Sequence, residues 1–289
     1  MTDAGITDIP RAVAAAIATA AELGLSVDEA VVLNASNRLA LRLLPSDVLV
    51  RVAAPAHRAA QFEVDLAVRL AGTDSPVAAL DSRVAPRVYE RDGLAITLWT
   101  YYPARPSREL SPAAYADALW RLHVRLRRVD LATPHFLDRV READGIVSSP
   151  EQSPQLRDTD RKLLRTTFDT VTRAIRERGA PEQLLHGEPH PGNVLNTSDG
   201  PLFIDLETCC RGPVEFDLAH VPEAISDSYP GIDPALLRQC RVLVLAMVAA
   251  WRFDPGDQFP GGRQAARELL SALRAGPPYP ELRAITGLS

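Results

Sequence analysis

Three apolar runs sit so close together along the chain that they admit few ways of folding. They are residues 29–33 (EAVVL), 39–44 (LALRLL) and 48–53 (VLVRVA), rich in Val and Leu. The segments between them, Asn34-Ala35-Ser36-Asn37-Arg38 and Pro45-Ser46-Asp47, read as turns. Short turns join antiparallel neighbours, so the runs predict a small antiparallel sheet. Two more strand candidates follow at 86–90 and 94–100, joined by Arg91-Asp92-Gly93; Asp-Gly is a strong hairpin signal. Around this sheet, residues 10–23 are alanine-rich and helical in character. Residues 56–71 place Phe62, Leu66 and Leu70 on one helical face.

From Ser111 the pattern changes to long helical stretches at 111–129, 154–179, 234–252 and 263–274, with Pro112 suited to a first helical turn. The clear β signal in this part is at 193–205, where NVLN, TSDG and PLFID read as a hairpin. The chain therefore divides into residues 1–102, rich in β-structure, and 103–289, mainly helical. The proline-rich stretch Tyr102-Pro103-Ala104-Arg105-Pro106 forms a stiff linker. This is an α+β organisation.

Composition narrows the function classes. Hydrophobic residues make up 46% and charged residues 24%, a globular profile that excludes collagen, coiled coil or disorder as a description of the whole chain. The formal net charge is -5, and residues 104–200 carry 15 basic against 14 acidic side chains, so no basic surface for nucleic acid is hidden in the total. The apolar run 242–251 is shorter than a bilayer span, and the N-terminus carries no signal-peptide pattern; no membrane partner is expected. Cys209, Cys210 and Cys240 are odd in number and lack metal-ligand spacing, which fits a reducing cytoplasm. Cys209 and Cys210 read as small apolar side chains. Trp99, Trp120 and Trp251 read as core, and His57, His123, His135 and His220 as structural or surface residues.

Polar residues able to do chemistry flank the hairpin. His186, Glu188, His190 and Asn193 precede it; Asp205 and Glu207 follow it. A hairpin brings its ends together, so Asn193 and Asp205 form a hard-oxygen pair suited to magnesium. Glu188, on the preceding loop, can orient or deprotonate a hydroxyl. That combination is what phosphoryl transfer requires, because positioning and charge neutralisation supply most of its catalysis. The stretch His186-Gly187-Glu188-Pro189-His190 is not a zinc helix motif, since Gly187 and Pro189 oppose a helix.

The phrase HGE (186–188), Asn193, Ile204-Asp205-Leu206-Glu207 and the following GPVEFDLA (212–219) resembles the aminoglycoside phosphotransferase and choline kinase-like family. The upstream Leu122-His123 resembles that family's L-H helix. The resemblance implies a two-lobe, protein-kinase-like fold. A small sheet-containing lobe (1–102) would bind nucleotide, and a helical lobe (103–289) would carry the catalytic loop and acceptor site. It implies ATP or GTP and Mg2+ as cofactors and a small-molecule hydroxyl acceptor as partner. Asp205 and Asn193 would hold metal, with Glu207 assisting, and Asp217 would brace the loop.

Glu188 stands where the family has its catalytic aspartate, and Arg51 where it has a phosphate-binding lysine, with Glu63 as the partner of Arg51. Arginine is the available cation: of 32 Lys and Arg residues only one, Lys162, is lysine, and it lies in the helical part. Asp65 would face away by about 200° at helical spacing. Ser36 and Asn37 stand in the phosphate loop, Thr100 and Tyr101 at the adenine-binding hinge, and His190 near the phosphates. The last part of the chain, 201–289, has 11 acidic and 8 basic side chains, which suits a cationic acceptor such as an aminoglycoside or amine alcohol. The implied activity is phosphoryl transfer to a small-molecule hydroxyl. The alternative is a nucleotide-binding pseudokinase, motivated by the departures at Arg51, the phosphate loop and Glu188.

Overall fold

A computed structural model describes residues 6, 8–35, 38–54, 58–103, 110–257 and 259–281. The chain forms two compact units: residues 1–109 with 195–207, and residues 110–194 with 208–289.

The first unit is built on an antiparallel sheet. Its strands are β1 (Val27–Ala35), β2 (Leu39–Pro45), β3 (Val48–Ala53), β4 (Tyr89–Arg91) and β5 (Leu94–Thr100), in the order β1-β2-β3-β5-β4. Alternation divides the faces. Leu39, Leu41 and Leu43 from β2, Val48, Val50 and Val52 from β3, and Ile96 and Leu98 from β5 are all buried and form one core. Helix α1 (Ile9–Glu22) covers that face with Ala12, Ala15, Ala16 and Ala20, small side chains that let the helix lie close. Asp8 caps α1 by accepting from the Arg11 N–H at 3.1 Å. The β4–β5 turn has Asp92 at φ 51° and Gly93 at φ 68°, the paired positive angles that an Asp-Gly hairpin needs. The opposite face carries Arg51 paired with Thr97 across β3 and β5, and Ala40 beside Arg51 across β2. Helix α2 (Arg58–Leu70) packs against β5.

A hairpin of β7 (Val194–Thr197) and β8 (Gly200–Phe203) docks on this unit through Phe203, whose N–H donates to Pro76 O at 2.7 Å and whose carbonyl accepts from Ala78 N at 3.1 Å.

The second unit is helical. It contains α3 (Pro112–Leu126), α4 (Phe136–Ser148), α5 (Asp158–Glu177), α6 (Val214–Leu218), α7 (Glu223–Asp227), α8 (Pro234–Trp251) and α9 (Gly262–Ala275). A two-stranded sheet pairs β6 (Gln183–Leu185) with β9 (Cys210–Gly212). Helix α8 is the central element, contacted by α4, α5, α6 and α9. It is longer than its apolar run alone indicates. Starting at Pro234, it has the length and composition of a membrane-crossing helix, yet Leu243 to Ala250 are buried within the fold.

Helix α4 and the β6/β9 pair are absent from the sequence expectations. A histidine cap at His135 and Gly145 inside the helix obscured α4, and strands of three residues carry no readable period. Trp120 is 43% exposed rather than core, because its position on α3 points away from the packed face.

Leu41 is fully buried while Val32 on the edge strand β1 is 48% exposed. Leu41→Ala should lower unfolding free energy by about 2–5 kcal/mol. Val32→Ala should change it by less than about 0.5 kcal/mol. Urea denaturation of the two variants checks the contrast.

Candidate functional site

In the first unit, five charged side chains converge. Arg51 on β3 donates from Nη1 to Glu63 Oε1 at 2.8 Å and from Nη2 to Asp205 Oδ1 at 2.7 Å. Glu63 on α2 is 1% exposed. Arg38, the residue just before β2, binds the other Glu63 oxygen and pairs with Glu207; its Nη1 lies 3.9 Å from Asp205 Oδ1. Two guanidinium groups therefore face three carboxylates.

Burial presses the Arg38 pKa downward, against the pull of Glu63 and Asp205. Burial also disfavours the Arg51 charge, but Glu63 and Asp205 outweigh it, and its pKa is raised. Asp205 sits at φ 66°, a left-handed backbone angle that few non-glycine residues adopt. Such strain is typical of a side chain held for a function.

Arg38 is a site residue that the sequence reading missed. It stands at the end of the predicted phosphate-loop segment, and the signal was the alternation Arg38, Ala40, Arg42, which sets it on the Arg51 face of the sheet. Ser36 and Asn37 lie outside the described residues. Asp65 accepts from Gln61 on the exposed side of α2. At the end of β5, the Thr100 N–H donates to Ala79 O at 2.9 Å, and the Tyr101 ring carries the Arg42 guanidinium at 4.1 Å. The Thr100 N–H is thus already used within the fold.

In the second unit, the loop 186–193 leaves β6 and is held from within. Asp217 on α6 is completely buried. Its Oδ2 accepts from the His186 N–H at 2.9 Å, and its Oδ1 accepts from the Gly187 N–H at 2.8 Å. His123 Nε2 lies 2.8 Å from the same carboxylate, and its Nδ1 lies 2.8 Å from the Tyr229 hydroxyl. Burial alone would raise the Asp217 pKa; the hydrogen bond and charge of His123 and its other neighbours hold it below the ordinary range.

Gly187 has φ +90°, and a Cβ there would meet Thr208 O at 1.9 Å, so only glycine fits. Thr208 Oγ1 in turn donates to His186 O at 3.0 Å.

Glu188 projects from this pinned loop. Burial would raise its pKa, yet the charge of Arg139, assisted by His220 and His190, holds it at about 2. Arg139 on α4 reaches the Glu188 carboxylate and also donates to Gly187 O at 3.1 Å. His220 is buried and its pKa falls to about 4, chiefly through desolvation. The amide nitrogen of Asn193 donates to Glu188 O at 3.0 Å, which leaves Oδ1 as its atom for a cation. His190 Nδ1 caps the turn 191–193 by accepting from the Gly192 N–H at 3.1 Å.

Cys209 and Cys210 are buried thiols, and burial pushes the Cys210 pKa up to about 12. Trp251, half-buried, lies under Arg139. His123 and His220 are interior residues, and His135 caps α4; His57 lies outside the described residues. Among the described residues no group of three or more His, Cys, Asp or Glu is arranged around a metal position. The hard-oxygen donors are the Asn193 amide in one unit and the Asp205 and Glu207 carboxylates in the other.

Comparison with known proteins gives one family. The model of the phosphotransferase enzyme family, APH, matches residues 29–275. No curated protein matches the chain. Solved structures share the fold at low identity. The amicoumacin kinase hAmiN, solved with AMP-PNP, Ca2+ and Ami, is 10% identical with a TM-score of 0.68, over 89% of this chain and 92% of that one. A choline/ethanolamine kinase family protein from Mesorhizobium loti is 18% identical with a TM-score of 0.63, over 98% and 99%. The GDP complex of aminoglycoside 2'-phosphotransferase-IIIa is 14% identical with a TM-score of 0.68, over 90% and 96%. With the β-sheet of the first unit and the helices of the second, this makes the fold α+β, two-lobed and kinase-like.

Asp217→Asn removes the charge and replaces one of its two acceptor oxygens by an NH2 group that faces buried N–H donors. Asp217→Asn should therefore lower stability by about 3–5 kcal/mol. The folded pKa of Asp217 is depressed, so its contribution is complete above the unfolded value of about 3.9 and fades as pH falls through the lower folded value. Thermal unfolding from pH 7 to 2 should show that loss in the wild type and a shallower acid limb in Asp217→Asn.

Proposed function

The chain belongs to the phosphotransferase enzyme family, and from that premise we propose that it transfers the γ-phosphate of ATP or GTP to a hydroxyl of a small molecule. The observation that carries this reading is Glu188: an ionised carboxylate on a loop whose backbone is fixed by a buried aspartate, as the chemistry of hydroxyl orientation needs.

The roles divide between the two clusters. Arg51 and Arg38 place fixed positive charge for phosphate oxygens, which would compete with Glu63, Asp205 and Glu207 for their N–H groups. Asn193 Oδ1, Asp205 and Glu207 each offer the kind of hard oxygen that Mg2+ takes, and a bound Mg2+ would neutralise phosphate charge. Glu188 accepts a hydrogen bond from the acceptor hydroxyl and aims its oxygen at phosphorus.

A pKa of about 2 makes Glu188 an orienting acceptor rather than a strong proton sink. In a loose transition state the hydroxyl keeps its proton until late, so orientation carries most of the effect. The hydroxyl oxygen gains the phosphoryl group, the nucleoside diphosphate leaves, and one proton is released.

Specific observations favour a second reading, a nucleotide-binding pseudokinase acting as a regulatory module. Arg51 spends its donors on Glu63 and Asp205, and Glu188 spends an oxygen on Arg139. The acceptor could then be absent altogether.

Purified protein with Mg-ATP or Mg-GTP and a panel of aminoglycosides, amino alcohols and sugars separates the readings. The enzyme reading expects phosphorylated product by mass spectrometry, reduced by at least about a hundredfold in Glu188→Ala and in Asp205→Ala. Nucleotide binding by calorimetry with no product on any acceptor would favour the pseudokinase.

A further inference from the structure

Glutamate at position 188 is one methylene, or about 1.3 Å, longer than aspartate. The Glu188 carboxylate is paired with Arg139. Arg139 makes three contacts at once. One terminal nitrogen donates to Gly187 O at 3.1 Å, the other meets the Glu188 carboxylate, and the guanidinium lies 5.2 Å from the centre of the Trp251 ring. The guanidinium thus grips the backbone and the side chain of consecutive loop residues while stacking on the end of α8.

Several features aim it there. Gly212 on β9 leaves room for Phe136: a Cβ at position 212 would come within 2.8 Å of the Phe136 ring. Phe136 in turn lies 5.2 Å from Phe216. The first turn of α4 is therefore seated against β9, and a capping box formed by His135 and Asp138 fixes its start. Arg139 lies three residues after Phe136, on the same helical face. Its partner strand's neighbour, β6, runs directly into the loop.

We infer that Arg139 is a positioning residue for Glu188: it holds the Glu188 carboxylate and the Gly187 carbonyl at once and so fixes the direction of that carboxylate. This rests on the phosphotransfer reading for its kinetic consequence, though not for the pairing itself. The two residues then act as a unit, and shortening the side chain at 188 loosens the contact.

The test uses the full chain with Mg-ATP and an acceptor that gives turnover. Arg139→Ala should lower kcat by about a hundredfold, with the nucleotide KM unchanged within about twofold. Arg139→Lys should retain more activity, and millimolar methylguanidinium should restore Arg139→Ala but not Glu188→Gln. Glu188→Asp should lose activity, and the double variant Arg139→Ala/Glu188→Asp should lose little more than either single variant. Glu188→Asp with kcat at or above wild type, or losses that multiply in the double variant, would overturn the inference.

A readout independent of activity separates this from the function itself. The melting-temperature changes of Arg139→Met and Glu188→Gln should be non-additive in the double variant; additive changes would overturn the pairing. A wild type without turnover on any acceptor, but with non-additive melting shifts, counts against the phosphotransfer reading and supports the pairing.

Discussion

The geometry of the loop 186–193 depends on one buried carboxylate. Asp217 accepts from consecutive backbone N–H groups, at His186 and Gly187, and is itself held by His123. An ionised group at zero exposure would be costly alone; three donors offset that cost and convert it into rigidity. Because its acceptor atoms address the backbone, the brace fixes the direction in which the next residue, Glu188, leaves the loop. Gly187 is the necessary counterpart, since the backbone turn at φ +90° against Thr208 O excludes any side chain.

The first unit solves a different electrostatic problem. Glu63, Asp205 and Glu207 bring three negative charges close together, and a cluster of that kind repels itself unless cations are supplied. Arg38 and Arg51 supply them, and Arg51 bridges an α2 residue to one that follows β8. A lysine could make the same charge contact but not two directed bonds from a planar group. In a chain with 31 arginines and one lysine, the cluster is built on the geometry of the guanidinium, and a second arginine, Arg38, balances Glu207.

Much of this was legible in the sequence because its causes are local. Alternation of Val and Leu with turn residues marked β2 and β3, and Asp92-Gly93 marked the hairpin between β4 and β5. The HGE, Asn193 and IDLE spacing marked the family. What stayed hidden depends on tertiary partners. Arg38 reads as a loop residue until the register of β2 sets it beside Arg51. The β6/β9 pair has three residues per strand, too few for a period, and exists because distant segments meet. Trp120 looks like core by residue type, but the packed face of α3 is occupied by Tyr115, Leu119, Leu122 and Leu126 instead.

Arg139 joins these points. No spacing links position 139 to position 188, and its role is visible only once Gly212, Phe136 and the α4 cap have placed the helix. The Glu188 carboxylate and the arginine on α4 then form one unit, with the cation placed by the fold. Both charged clusters thus use arginine in the same way, as a planar donor that ties one carboxylate, Asp205 or Glu188, to a second acceptor: Glu63 for Arg51, and the Gly187 carbonyl for Arg139.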